Sequence, residues 1–179
     1  ETLISSKILI AQLETPSGET EKLFKRSKKF DCYRILNTAP VHNLSNSLID
    51  ESDLLIMNET ELATLSGESP SGQLTPRVLI KSLEKIALTG SQSVIVTLGS
   101  QGVFVYENNI GTLIPGLDVV PVDTTGSGDC FVGALAAQYL VNGNLVDAAY
   151  FANKAAALSV TKKGASASMP TLEEVVNLT

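Results

Sequence analysis

Short runs of apolar, largely β-branched residues recur along the first hundred positions, and segments with helical or turn character separate them. The four runs are 7–13 (KILIAQL), 32–36 (CYRIL), 53–57 (DLLIM) and 93–98 (SVIVTL). Runs of this length and composition are typical of strands that are buried on both faces, as in a parallel sheet. Because helical segments alternate with them, the sequence predicts an α/β fold with a mainly parallel sheet flanked by helices.

The remaining segments complete this prediction. Asn58, followed by Glu61 three positions later, is the pattern of a capping box at the start of a helix. Strands at 102–106 and 109–114 are predicted to form a hairpin around Asn108 and Asn109, and Gly and Pro indicate a surface loop at 66–76. We find no internal repeat and predict a single domain over residues 1–179. The predicted helices are 19–29, the one after Asn58, 75–89, 127–142, 145–161 and 171–177.

Charge and composition exclude several classes of partner. The net charge of −6 argues against nonspecific binding to nucleic acid, because that affinity depends on Lys and Arg neutralising phosphates. The sequence has no run of about 20 apolar residues that could cross a membrane. Cys32 and Cys130 lie far apart and lack metal-ligand spacing, which indicates a reducing compartment. We therefore expect a cytoplasmic location, or also a nuclear one in a eukaryote.

The most informative stretch is Asp123-Thr-Thr-Gly126-Ser127-Gly128-Asp129, directly before a predicted helix. Glycines on either side of a small residue let the backbone turn tightly and expose its N–H groups. The helix that begins there adds its dipole and its unpaired donors, which together form a site suited to phosphate. A carboxylate beside such a site repels phosphate but can accept the proton of an attacking hydroxyl. Asp129 is therefore a candidate general base.

The alternative interpretation is that Ser127 or Asp129 only caps a helix after a tight turn. Two observations favour the phosphate site: two aspartates frame the loop, and a second glycine-containing turn follows the strand at 93–98. That turn contains Thr97, Gly99 and Gly102, and ligands of open α/β sheets gather at the carboxyl ends of strands. Neither a Walker-type G-x-x-x-x-G-K-[ST] nor a dinucleotide G-x-G-x-x-G is present, so any phosphoryl transfer is not of the P-loop kind.

The loop at 123–129 resembles the D-T-x-G-[AS]-G-D signature of the ribokinase (PfkB-type) carbohydrate kinases. Asn58 and Glu61 are similar to the N-x-x-E element of that family, and the turn at 97–102 is similar to its T-x-G-x-x-G turn. The Gln-Leu-Glu14 segment and the Asn-Thr38-Ala-Pro turn resemble ribokinase elements, with Thr38 in place of a proline. Ser127 replaces the commoner alanine. The resemblance covers about residues 7–175 and implies a three-layer ribokinase-like fold.

The resemblance also implies roles for individual residues. Mg²⁺ and the ATP phosphates would lie near Asn58 and Glu61, the phosphates also near Thr97, Gly99 and Gly102, and the adenine beside Asn153. Gly126, Ser127 and Gly128 would stabilise the transferred phosphoryl group, with Asp129 as the base, and Glu14 would contact the sugar. An activating K⁺ would take oxygen ligands, several of them backbone carbonyls, from Asp123, Thr125, Ser159, Lys162, Gly164 and Ser168.

The function implied is transfer of the ATP γ-phosphate to D-ribose, giving ribose 5-phosphate. Fructose, a sugar acid or a nucleoside are alternative acceptors, and a nucleotide-binding fragment without turnover is a third possibility. Family members are longer at the amino end, so we expect that the lid and the amino-terminal part, with most sugar contacts, are missing here. The full-length protein could form a homodimer through that lid.

Overall fold

The computed structural model describes residues 2–41, 44–68, 74–86 and 88–178, without the side chains of residues 2 and 4. Its centre is a mixed six-stranded sheet in which the strands lie side by side in chain order. The strands are β1 (Ile8–Gln12), β2 (Tyr33–Asn37), β3 (Leu54–Asn58), β4 (Ser93–Thr97), β5 (Gly102–Glu107) and β6 (Ile110–Pro115). Strands β1 to β4 pair in parallel, as their apolar composition predicts.

Register places the carboxyl ends of the parallel strands at one edge of the sheet. Gln12 pairs with Asn37, and Asn37 pairs with Ile56 on the next strand. Asn58, the last residue of β3, pairs with Thr97, the last residue of β4. Polar side chains therefore follow apolar strands at the edge where open α/β sheets bind their ligands.

The described part of the chain contains eight α-helices. Asn58 caps the start of helix α4 (Glu59–Ser66), and both hydrogen bonds of the predicted capping box are present. Helix α6 (Ser127–Asn142) lies between Gly126 and Gly143, both of which have the left-handed conformation. The helices are α1 (Thr2–Ser5), α2 (Ser17–Ser27), α3 (Asn46–Asp50), α4 (Glu59–Ser66), α5 (Pro76–Leu83), α6 (Ser127–Asn142), α7 (Leu145–Ser159) and α8 (Leu172–Asn177).

Several predicted boundaries were wrong. The helix predicted at 75–89 ends at Leu83, because the chain continues there as turns in which Ile86 is still buried. Helix α2 begins at Ser17, directly after Pro16, and is followed by a 3₁₀ turn, Lys28–Phe30. The short helices α1 and α3 were not predicted. Part of the predicted loop at 66–76 lies outside the described residues, as does residue 87 of the predicted helix.

The hairpin prediction is confirmed. Asn108 and Asn109 have φ values of 53° and 63°, and positive φ at both central residues is typical of a type I′ turn, which matches the twist of the two flanking strands. Asparagine tolerates this conformation better than most residues that carry a side chain. The two residues therefore fix the register between β5 and β6.

The chain divides into two compact units, each with apolar residues at its centre. The first contains residues 1–98 and 104–113, and the second contains residues 99–103 and 114–179. Phe24, Leu55 and Phe104 belong to the core of the first unit. In the second, Cys130 and Ala155 pack with Val175. No helix in the described ranges is long and apolar enough to cross a membrane.

Candidate functional site

The loop at 123–129 lies at the protein surface and turns sharply at Gly126. That residue has a φ of 78°, a left-handed conformation that favours glycine. A Cβ atom at this position would lie 3.0 Å from the Cβ of Ala165. Both the backbone conformation and the close approach of the 165 region therefore require glycine where α6 begins.

The first backbone donors of α6 differ in their availability. The Ser127 N–H donates to the carbonyl of Thr124 at 3.2 Å. The N–H groups of Gly126 and Gly128 donate to no acceptor within the described ranges of the chain. Unpaired N–H groups at a helix start are the donors that bind anions, so Gly126 and Gly128 provide them more directly than Ser127 does.

Asp129 lies in the first turn of α6 and is exposed to solvent. It forms part of the wall of an open groove of about 660 Å³. Apart from Asp129 and Gln138, small and apolar residues line this groove, which runs along α6, α7, α8 and the segment before α8. The other lining residues are Cys130, Gly133, Ala134, Ala137, Val141, Phe151, Ala155, Met169, Pro170, Leu172 and Val175.

The groove has few polar groups in its wall besides Asp129 and Gln138. A sugar needs several hydrogen-bonding partners, so the groove alone is unsuited to hold one.

Burial raises the pKa of the Cys130 thiol, although the hydroxyl of Ser159 partly opposes that rise. A buried thiol with a raised pKa is a poor nucleophile. Cys130 therefore acts as a core residue, as its packing with Ala155 and Val175 indicates.

Asp123 connects the loop before α6 to the segment after α7. One carboxylate oxygen accepts the N–H of Thr125 at 3.0 Å, and the other accepts the N–H of Gly164 at 2.9 Å. The N–H groups of Val122 and Asp123 both donate to the carbonyl of Val160, at 2.7 and 3.1 Å. The hydrogen bond from Gly164, followed by that from Thr125, lowers the pKa of the Asp123 carboxyl group.

These bonds bring together the two segments that contain the six predicted K⁺ ligands. Asp123, Thr125 and Gly164 form the connection between the segments. The side chains of the other three have partners outside this connection: the hydroxyl of Ser159 donates to the Ala156 carbonyl, that of Ser168 to the Ala165 carbonyl, and Lys162 pairs with Glu174 at 2.6 Å. Backbone carbonyls and carboxylate oxygens are suitable ligands for a hard cation, so the residue types fit an ion here.

The predicted Asn58 and Glu61 pair lies at the carboxyl edge of the sheet. Glu61 is only 7% exposed. Its Oε2 accepts the backbone N–H of Asn58 at 2.8 Å, and its Oε1 accepts the Asn58 Nδ2 at 3.1 Å. Beside them, the hydroxyl of Thr97 lies 3.5 Å from the carbonyl of Met57. The carboxylate is thus held next to the exposed side chain of Asn58.

The glycines of the turn after β4 have different surroundings. Gly99 has a φ of 54° and open space where a Cβ would lie. Gly102 has a φ of 103°, and a Cβ there would overlap the carbonyl oxygen of Ile114 at 2.1 Å. Next to this contact, the N–H of Gly116 donates to the Gln101 carbonyl at 3.1 Å. Gly102 is therefore required by the close passage of two backbone segments.

Two further predicted residues lie apart from these turns. Asn153 is 7% exposed, and its Nδ2 donates to the carbonyl of Pro115 at 2.9 Å. This bond anchors the end of β6 to α7. A contact with the adenine base would therefore use the atoms of the Asn153 amide that do not bond to Pro115. Glu14 is exposed in the turn that follows β1. Glu14, Asn58, Glu61 and Thr97 belong to the first compact unit, and the other predicted residues to the second.

Sequence reasoning missed three features of these surroundings. The hydroxyl of Thr38 lies 3.4 Å from the Glu61 carboxylate. The sequence had singled out Thr38 only because it replaces a proline in a turn. The carbonyls of Pro115 and Val160 are the acceptors for Asn153 and for the start of the 123–129 loop. Backbone carbonyls carry no signal in the sequence, and only the hydroxyl of Thr38 could have been suspected.

A mixed sheet flanked by helices, with a glycine turn and an aspartate at the start of α6, defines a three-layer α/β protein of the ribokinase-like fold. The model of the pfkB family carbohydrate kinases matches residues 2–172. The chain therefore belongs to the pfkB family of carbohydrate kinases.

Curated relatives and solved structures agree with this assignment. The ribokinase of Staphylococcus aureus (strain COL) is 35% identical over 176 residues, which are 98% of this chain and 57% of that protein. The structure of ribokinase from Thermotoga maritima has a TM-score of 0.83 and 37% identity, covering 98% of this chain and 57% of that one. Arabidopsis thaliana ribokinase complexed with ribose and ATP gives 0.86 and 29%, covering 98% and 56%. The chain thus spans a little over half of each relative.

Proposed function

We propose that these 179 residues carry the nucleotide-binding and phosphoryl-transferring part of an ATP-dependent kinase that phosphorylates D-ribose at its 5-hydroxyl. Membership of the pfkB family supports the reaction class, and the similarity to a ribokinase complexed with ribose and ATP supports the two substrates. The observation that carries the proposal is the exposed turn at Gly126 and Gly128, whose N–H groups lie at the start of α6 beside Asp129.

The first role is that of an anion site for the γ-phosphate. The N–H groups of Gly126 and Gly128 are directed by a turn that only glycine adopts easily at residue 126. The positive end of the α6 dipole adds to their attraction for negative charge. Such preorganised donors stabilise the charge that develops on the phosphoryl group as it moves, without the cost of reorienting water.

Asp129 then acts as the general base. The 5-hydroxyl oxygen of ribose attacks the γ-phosphorus, the bond from that phosphorus to the bridging oxygen of ADP breaks, and the hydroxyl proton passes to the Asp129 carboxylate. The position of Asp129 supports this role, because it is exposed and one residue beyond the turn that would hold the phosphate. The Asp123–Gly164 connection would keep that turn in place.

The residues at the carboxyl edge of the sheet fit a nucleotide-held Mg²⁺. In the described ranges, no three His, Cys, Asp or Glu side chains converge on one point, and Mg²⁺ is commonly bound by one or two carboxylates together with substrate phosphates and water. Glu61, whose two oxygens already accept Asn58 donors, would contact the hydrated ion through water. The ion, when bound, neutralises charge on the phosphates.

The other assignments extend this proposal. K⁺ would bind between the segments that Asp123 and Gly164 connect, and it would stiffen the loop before α6. Asn153 would contact the adenine with the oxygen or the second N–H of its amide, since one N–H of Nδ2 donates to the carbonyl of Pro115. Glu14 would reach the sugar from the turn after β1, where it is exposed.

The proposal is tested by two measurements, one on this chain and one on the protein that contains these 179 residues. Calorimetric titration with ATP in the presence of Mg²⁺ should detect binding, and Gly126→Ala should abolish it. Gly143→Ala is the matched control, because Gly143 has a similar φ of 66° at the other end of α6. Phosphorylation of ribose, fructose, a sugar acid and a nucleoside by the protein that contains these residues, assayed in parallel, then identifies the acceptor. Absence of ATP binding, or equal effects of the two variants, would contradict the proposal.

A further inference from the structure

The hydroxyl of Thr38 lies between two acceptors at the carboxyl edge of the sheet. Thr38 follows the last residue of β2 and is completely buried. Its Oγ1 lies 3.3 Å from the carbonyl oxygen of Ile56 and 3.4 Å from Oε2 of Glu61. Both distances are long for an O–H donor, which is the geometry of one proton positioned between two acceptors.

The two acceptors are not equivalent. The carbonyl of Ile56 already accepts the backbone N–H of Thr38 at 2.9 Å, so its first lone pair is in use. The carboxylate of Glu61 is an ionisable acceptor, and hydrogen bonds to charged groups are roughly twice as strong as those between neutral groups. The proton of the Thr38 hydroxyl therefore favours Glu61, with the Ile56 carbonyl as an alternative.

This contact gives Glu61 an anchor that the capping box does not. Both donors come from Asn58, which ends β3 and caps α4, so they hold Glu61 only to its own strand–helix junction. Thr38 lies 23 residues earlier in the chain and follows a neighbouring strand. Because Glu61 is only 7% exposed, a buried carboxylate gains from each additional donor. Thr38 thus connects the carboxylate to the end of β2, in addition to its bonds at the end of β3.

We propose that Thr38 is a positioning residue for the metal–nucleotide site. Its hydroxyl holds the Glu61 carboxylate at the end of β2, so that the carboxylate is already in position when a hydrated divalent cation binds. The inference rests on the role proposed above for Glu61. It assigns Thr38 a part in cation affinity and none in the proton transfer at Asp129.

The test is direct binding of Mn²⁺, the probe ion, to the complete chain with ADP, followed by electron paramagnetic resonance. Thr38→Val removes the hydroxyl and keeps the shape, and it should weaken Mn²⁺ binding about threefold to tenfold, the size of one net hydrogen bond. Thr38→Ser keeps the hydroxyl and should restore most of the affinity. Ser52→Ala is the control: it removes a buried hydroxyl bond to the Leu48 carbonyl just before β3, at the opposite end of that strand from Asn58.

The variant Glu61→Gln separates this inference from the proposed function. If Glu61→Gln leaves Mn²⁺ binding unchanged, or wild type binds none, the metal role of Glu61 is wrong and the inference is lost with it. If Glu61→Gln weakens binding but Thr38→Val does not, the inference alone is wrong. If both weaken binding, Thr38→Val should add nothing in the Glu61→Gln background, and additive losses would contradict a role that acts through Glu61.

Urea unfolding tests the contact without any ligand. The wild type, Thr38→Val, Glu61→Ala and the double variant form a double-mutant cycle, in which each single variant removes one partner of the hydrogen bond. A coupling equal to about a threefold to tenfold change in the unfolding equilibrium constant is expected for the hydrogen bond. Zero coupling would show that the two side chains do not interact, and the inference would be overturned.

Discussion

The carboxylate of Asp123 accepts the backbone N–H of Gly164 at 2.9 Å, although the two residues are 41 positions apart. The other carboxylate oxygen accepts the N–H of Thr125. Both donors favour the ionised carboxylate, which is why the pKa of Asp123 lies below its usual 3.8. One side chain thus holds the loop before α6 against the segment after α7.

The first prediction concerns stability and pH at Asp123. A carboxyl group with a lowered pKa in the folded state contributes stability above its unfolded pKa, and this contribution is lost as pH falls through the folded pKa. Asp123→Asn should therefore lower the urea midpoint at pH 7, and the difference from wild type should shrink below about pH 4. Urea unfolding followed by circular dichroism at pH 7, 5, 4 and 3 measures this difference.

Asp118→Asn, which changes the same charge in the segment before this loop, serves as the control and should leave the midpoint nearly unchanged, since surface substitutions usually have small effects. If the urea midpoint of Asp123→Asn lies below that of wild type by the same amount at every pH, the two N–H bonds do not favour the ionised carboxylate.

The second prediction separates stability from phosphate binding at Gly128. A Cβ at this position meets no atom within 4 Å, so alanine fits the helix and should raise stability slightly, by up to about 0.5–1 kcal/mol. The added methyl group would occupy the space of the phosphate, and ATP affinity should fall at least about tenfold. Thermal unfolding and calorimetric titration measure the two effects.

Gly18→Ala is the matched control for that variant. Gly18 is also the second residue of its helix and also has open space where the Cβ would lie. The Gly18→Ala variant should gain similar stability without any loss of ATP affinity. Equal affinities of the two variants would mean that no phosphate lies against Gly128.

The third prediction tests the base. In the protein that contains these 179 residues and phosphorylates ribose, Asp129→Asn should reduce kcat by roughly 10²–10⁴-fold, the usual contribution of a general base. Affinity for ATP should be retained or increased, because a negative charge near the phosphate is removed. Steady-state kinetics and ATP titration provide the two readouts, and a near-normal kcat would refute the role of Asp129.

The fourth prediction concerns Gly102, where two backbone segments pass too closely for a side chain. Gly102→Ala would place a Cβ 2.1 Å from the Ile114 carbonyl oxygen at a φ of 103°, and it should cost about 3 kcal/mol or more in unfolding free energy. Gly99→Ala has the unfavourable φ of 54° but open space, and it should cost about 1–2 kcal/mol. Chemical denaturation compares them; similar losses would contradict the steric argument.

Local patterns predicted the elements of the fold well. The four apolar runs form parallel strands within one residue of their predicted bounds, and the paired asparagines form the hairpin turn. The family resemblance is also confirmed. A predicted helix boundary was wrong where a residue is buried without being helical. Helix α5 ends at Leu83, but Ile86 beyond it is buried and continues the apolar pattern of the helix in the sequence.

The candidate site was predictable only in part. The capping box at Asn58 and Glu61 and the glycine turn before α6 follow from local spacing, and the structure contains both. Their nucleotide, metal and catalytic roles stay predictions. The bond from Asn153 to Pro115 could not be foreseen, because its acceptor is a backbone carbonyl 38 residues away.

The sequence by itself determined the order of strands and helices, the turn at Gly126 and the family, because each depends on residues close together in the chain. Tertiary structure alone decided which N–H groups at the start of α6 are unpaired, which backbone passes over Gly102, and that Asp123 and Thr38 reach distant partners. These contacts form only when segments tens of residues apart meet, and the chain closes such loops at an entropic cost that no local pattern reveals.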